Sequence, residues 1–100
     1  MITITAVITA KAGKEDVMRD ALLAVADHVE ANEAGTVGFF VSQDAGDPHR
    51  FTTYERFCDD AAMQRHNGSD AVATFFAIAK PILDGEVVLV TGAELSAKAG

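Results

Sequence analysis

The stretch FTTYERFCDDAAMQRHNGS, Phe51 to Ser69, changes from strand spacing to helix spacing part-way along. Phe51, Thr53, Glu55 and Phe57 alternate with Thr52, Tyr54 and Arg56, so a strand here turns Glu55 the same way as two phenylalanines. A carboxylate on a face marked as buried must be hydrogen-bonded, paired or neutralised, because an isolated buried charge is too costly. Asp59 and Asp60 then supply N-cap chemistry for a short helix through Ala61, Ala62 and Met63, and His66 falls three residues after Met63 on the same side. Glu55 and His66 are therefore expected to meet where strand packs on helix. Such a pair either ties two elements together or forms the polar part of a site, and the residues alone leave both readings open.

Toward the amino terminus, Ile2, Ile4, Ala6, Ile8 and Ala10 alternate with Thr3, Thr5, Val7 and Thr9, a strand with one apolar face and one face of threonine and valine. After Gly13, the residues Met18, Leu22, Val25 and Val29 form the stripe of an amphipathic helix that reaches about Ala31. His28 lies at the edge of that stripe, and Asn32 to Gly35 supplies the helix stop, with Gly35 free to take a positive φ. Val37, Phe39 and Val41 alternate with Gly38, Phe40 and Ser42 in a second strand whose two faces both read as half buried. Gly46 and Asp47-Pro48 supply the turn into the third strand, and His49 in that turn reads as solvated.

Toward the carboxyl terminus, Asn67-Gly68 bends the chain and Ser69 caps a helical segment carrying Val72, Phe75, Phe76 and Ala79, which Pro81 ends or kinks. Its apolar residues spread round most of the helix, so cover on more than one side is expected. Asp84-Gly85 turns the chain into a valine-rich strand, Glu86 to Thr91, expected to be internal to the sheet, with Glu94 to Gly100 as a tail or an arm. The order strand, helix, two strands, helical segment, strand predicts an α+β fold, ferredoxin-like βαββαβ with an antiparallel sheet and helices on one side. It reads as a single domain, with a core over about residues 2–91 and a tail over 92–100. Val7, Phe40, Tyr54 and Val88 or Val90 fall on the uncovered side, an apolar patch of the kind that marks an interface.

One hundred residues with 49% hydrophobic content suit one small core, and a chain of this size buries only about two-thirds of the surface its unfolded form exposes, so a second subunit would help. A formal charge of −7 with no basic cluster argues against nucleic acid and anionic membrane as partners. Cys58 is the single cysteine, which excludes an internal disulfide and suits a reducing compartment. The alternating amino terminus reads as a strand and not a secretory signal, and a cytoplasmic protein is expected.

His28, His49 and His66 lack paired metal-ligand spacing, so no metal site is expected. There is no nucleophile elbow around Ser69 and no glycine-rich loop for a nucleotide or flavin. What remains is an apolar chamber between sheet and helices, lined by Phe39, Phe51, Phe75 and Phe76, with Tyr54 as a further candidate for substrate contact and with Glu55 and His66 as its polar groups.

The ordered set Glu33-Ala-Gly35, Asp47-Pro48, Phe51, Glu55, Asp59, Ala61-Ala62 and His66-x-x-Ser69 resembles the antibiotic biosynthesis monooxygenase family, over about Ile2 to Leu89. The resemblance implies a homodimeric α+β barrel and a cofactor-independent, quinol monooxygenase-like reaction. A small phenol, quinol or polyketide-like aromatic would be oxidised by dioxygen without metal or flavin, because deprotonation gives an anion that can itself reduce dioxygen. His66 is the expected catalytic base or hydrogen-bond donor, with Glu55 fixing its tautomer. The chain has no tryptophan and no asparagine before Asn32, so the likeness does not extend to the haem-degrading branch. Two rivals stand beside this expectation: a cofactor-free isomerase or other small-metabolite enzyme, and a non-catalytic ligand-binding or stress-related dimer in which Glu55 and His66 are only a buried tie.

Overall fold

The first alternating run forms strand β1 (Ile2–Thr9) in the computed structural model, which describes residues 1–98. It is followed by α1 (Glu15–Asn32), β2 (Thr36–Gln43), β3 (Arg50–Phe57), α2 (Asp60–Asn67), α3 (Asp70–Ala79), a 3-10 turn (Lys80–Ile82) and β4 (Val88–Ala93). The sheet order is β2-β3-β1-β4 with every neighbouring pair antiparallel, the ferredoxin-like βαββαβ plan.

Register decides which side chains meet. Ile4 lies opposite Glu55, Ala6 opposite Thr53 and Ile8 opposite Phe51, so these six residues share the inner face. The larger core cluster packs Ile8 and Phe51 against Met18, Leu22 and Val25 of α1 and Phe75 of α3. A smaller one joins Ile4 and Phe57 to Ala62 and Met63 of α2. Thr53 and Glu55 are buried on β3 between Phe51 and Phe57, where the two clusters part.

Both short helices start as the sequence predicts. The Asp59 carboxylate accepts from the Ala62 amide at 2.8 Å, and the Ser69 hydroxyl accepts from the Val72 amide at 3.3 Å while donating to the His66 carbonyl at 2.7 Å. Pro81 falls in the 3-10 turn just after α3 stops at Ala79. Helix α1 stops within the expected Asn32 to Gly35 stretch, but Gly35 does not use its freedom of φ: the positive-φ glycines are Gly13 and Gly85. What requires glycine at position 35 is approach, since a Cβ there would lie 2.7 Å from Cβ of Ala62.

Strand β4 is also placed differently. Its valines predict an internal strand, yet it pairs with β1 alone and forms an edge of the sheet, with Val88, Leu89 and Val90 each more than half exposed. Both of its faces are apolar because one borders the helices' side and the other joins the bare outer face, where Phe40 is 57% and Tyr54 40% exposed and their rings stack at 6.2 Å. Phe40 is thus not half buried within one chain. The strand runs to Ala93, two residues past the expected core, and Glu94 is clamped by Arg56 through contacts of 2.8 and 3.0 Å. Of the expected tail or arm, residues 99–100 lie outside the described residues. His49 is not simply solvated: its imidazole nitrogens lie 3.1 Å from Asp47 and 3.3 Å from Glu15. Among the described residues no helix is long and apolar enough to cross a membrane.

Candidate functional site

Glu55 and His66 do meet. Strand β3 carries Glu55 inward and the last turn of α2 carries His66 toward it, so that Nε2 lies 3.2 Å from Oε1 of Glu55. The other Glu55 oxygen accepts a hydrogen bond from the Thr53 hydroxyl at 2.8 Å, a same-face neighbour two residues earlier. His66 is 4% and Glu55 6% exposed.

Glu33 joins the pair as a third member that sequence spacing does not indicate. Nδ1 of His66 lies 2.8 Å from Oε1 of Glu33, a shorter contact than the one to Glu55. Glu33 caps the end of α1, and the same Oε1 accepts from the Thr36 hydroxyl at 2.7 Å. The imidazole therefore stands between two carboxylates, one at each nitrogen. Burial pushes its pKa down, but the hydrogen bonds to Glu55 and Glu33, with the attraction of both charges, outweigh that and raise it above the ordinary histidine value. Position at the C-terminal end of α2 favours a cation further. The rings of Phe39 and Phe57 flank the imidazole at 5.5 and 5.3 Å, within reach of a cation–π interaction.

Beside this triad the inner face holds a half-open cavity of about 200 Å³. Its apolar wall includes Leu22, Val25, Phe39, Phe75, Phe76 and Leu89, and its polar groups are Thr53, Glu55, His66 and Asn67. Of the residues expected to contact substrate, Phe39, Phe75 and Phe76 line it. Phe51 does not: it is 1% exposed, packed into the core behind the wall. Tyr54 does not either, because the alternation that turns Thr53 and Glu55 inward turns Tyr54 to the outer face, where its hydroxyl reaches Glu94 at 3.4 Å. Thr53 was readable from its parity with Glu55. Asn67 reads in the sequence only as part of a bend, and no local signal marks Glu33 as a partner of a histidine 33 residues away. Among the described residues no cluster of histidine, cysteine, aspartate and glutamate is arranged to hold a metal ion.

The chain is thus a ferredoxin-like α+β domain in which a buried imidazole, held between two carboxylates, stands on the wall of an apolar cavity. The chain belongs to the antibiotic biosynthesis monooxygenase family, whose profile matches residues 1–78. Solved structures agree on the fold. A Mycobacterium tuberculosis protein superposes with a TM-score of 0.89 at 18% identity, covering 98% of both chains. A Caulobacter crescentus protein assigned provisionally to the antibiotic biosynthesis monooxygenases gives 0.88 at 20% identity, over 95% of this chain and 90% of that one. A Pseudomonas aeruginosa protein gives 0.86 at 28% identity, over 95% and 94%. No curated protein matches the chain. Family membership supports a monooxygenase-like function in general terms.

Proposed function

We propose that the protein is a cofactor-independent monooxygenase that binds a small phenol or quinol in the cavity and oxidises it with dioxygen. The observation that carries this reading is the paired carboxylate and imidazole on the wall of an otherwise apolar hollow, in a chain of this family. A cavity of about 200 Å³ suits one substituted aromatic ring, since roughly 150 Å³ of apolar space holds benzene. A larger, polyketide-like aromatic would seat one ring there and extend through the open side.

Sequence leaves His66 two roles, base or hydrogen-bond donor. With a carboxylate at each nitrogen the imidazole has neither a lone pair nor an N–H free for a ligand, so its role is to hold and balance the Glu55 carboxylate. Glu55, which reaches the cavity and has spare acceptor capacity, is then the group that takes the substrate hydroxyl proton. The resulting anion is electron-rich enough to reduce dioxygen directly. For a simple phenol the balance is one phenol and one dioxygen giving one quinone and one water, and the apolar wall keeps bulk water from the anion.

The functional unit in this reading is a homodimer closed across the outer sheet face. Its support is the exposed apolar patch of Phe40, Tyr54, Val88 and Val90 on a small chain.

An oxygen-electrode screen of reduced quinones and polyphenols tests the proposal. The parent chain consumes dioxygen with at least one of them, while His66→Ala and Glu55→Gln lose on the order of 10²-fold or more in rate. Equal rates in all three proteins would remove the pair from the mechanism. Turnover without oxygen uptake would favour an isomerase.

A further inference from the structure

We propose that Glu33 is the positioning residue of this site, fixing from behind the tautomer and charge of His66 and so deciding where the proton between His66 and Glu55 can reside. The inference rests on the reading of Glu55 and His66 as the reacting pair. Glu33 does not line the ligand cavity. It borders a second hollow on the other side of the imidazole, together with His28, Asn32, Arg65 and Ser69.

Several observations set Glu33 apart from a casual neighbour. Its contact with His66 is the shorter of the two, at 2.8 against 3.2 Å. Its Oε1 accepts from both the Thr36 hydroxyl and Nδ1 of His66, which fixes that oxygen from two directions. It sits at the C-terminal end of α1, where the helix dipole disfavours a carboxylate, so its burial here needs a compensating cation. His28 Nε2 approaches the other oxygen, Oε2, at 3.1 Å but out of line, leaving that buried oxygen with no hydrogen-bond partner among the described residues. The charged or titratable groups that face the Glu33–His66 pair are thus His28 from α1, Glu55 from β3 and Arg65 from α2, with the Cys58 thiol close to Gly35.

Position follows from chemistry. A carboxylate has no proton to give at neutral pH, so the Glu33 contact is made only while Nδ1 carries hydrogen. With Nδ1–H committed, the remaining proton has two places, Nε2 of His66 or Oε1 of Glu55. Glu33 thereby keeps the imidazole from rotating its lone pair toward its own side and keeps the reactive proton at the cavity.

Imidazole nitrogen NMR on the full-length ¹⁵N-labelled chain, without any substrate, tests this directly. The parent is expected to keep Nδ1 of His66 protonated across the titration, with a midpoint above that of an exposed histidine. In Glu33→Gln the midpoint falls by about one pH unit or more, a tenfold weakening of proton binding. Circular dichroism checks that this variant folds. Thr36→Val, which removes only the hydroxyl anchoring Glu33, gives a smaller fall in the same direction and serves if Glu33→Gln does not fold. With an active substrate, kcat in Glu33→Gln drops roughly 10- to 100-fold while KM is kept, because Glu33 acts through His66 and not on the ligand. An unchanged midpoint and tautomer in both variants would overturn the proposal. A parent chain that turns over no phenol or quinol sinks the oxygenase reading alone, because the NMR comparison needs no turnover.

Discussion

At the scale of single residues, the site is three charged groups in a space that the apolar pattern reserves for phenylalanine and methionine. Glu55 and His66 were legible in the sequence because each breaks a local pattern: the carboxylate shares parity with Phe51 and Phe57, and the histidine shares a helix face with Met63. Glu33 breaks no pattern, since a glutamate after a helix is ordinary, and only tertiary packing brings it to Nδ1 of His66. The raised pKa of His66 carries a linkage consequence. The folded chain holds that proton more tightly than the unfolded chain, whose histidine titrates near ~6.5, so the added stability is complete below that value and is lost as pH rises through the folded value. Urea unfolding across that window should show a midpoint that falls with increasing pH, and a flat profile would contradict the double clamp. His66→Ala leaves the buried Glu55 and the partly buried Glu33 without their cation and should cost about 3–5 kcal/mol at neutral pH, measured by the same unfolding curves.

At the scale of elements, spacing predicted each helix and strand, and errors arose where apolar content had two causes. The valines of β4 read as an internal strand because both faces are apolar, but one of those faces covers nothing inside its own chain. Gly35 reads as part of a helix stop with free φ, and packing adds what spacing does not show: its missing side chain lets α2 lie against the α1–β2 connection. That contact is what brings His66 to Glu33. Gly35→Ala should therefore displace α2 or force Ala62 aside, costing about 1–3 kcal/mol, and should weaken the Glu33 effect on His66 in the same imidazole spectra. Asp59→Ala removes the cap that starts α2 and should cost about 1 kcal/mol, a fall in melting temperature of roughly 4–8 °C for a chain of this size. An unchanged melting temperature would mean the cap contributes nothing to holding α2.

At the scale of the whole molecule, the sheet divides the chain's apolar surface between two uses. The inner face builds the core and the cavity, while Phe40, Tyr54, Val88 and Val90 remain on the outer face. A homodimer closed across that face predicts a sedimenting species of twice the chain mass, and Phe40→Glu or Val90→Glu should shift it to the monomer, because a charge buried at such a contact has no partner. Parent chain that sediments as a monomer at micromolar concentration would leave the patch unexplained by self-association. The topology was readable from the order of elements, and the cavity only in outline: its phenylalanines were named, but which of them stop at the wall depends on packing depth that spacing does not encode. Phe51 is behind the wall and Phe76 on it. The central claim, that Glu55 and His66 prepare a bound phenol or quinol for direct attack on dioxygen, is tested most directly by turnover under ¹⁸O₂ with mass analysis of the product. The account predicts one ¹⁸O atom per product molecule from the parent chain and none formed at comparable rate by Glu55→Gln; product that carries no label, or equal labelling by the variant, would contradict it.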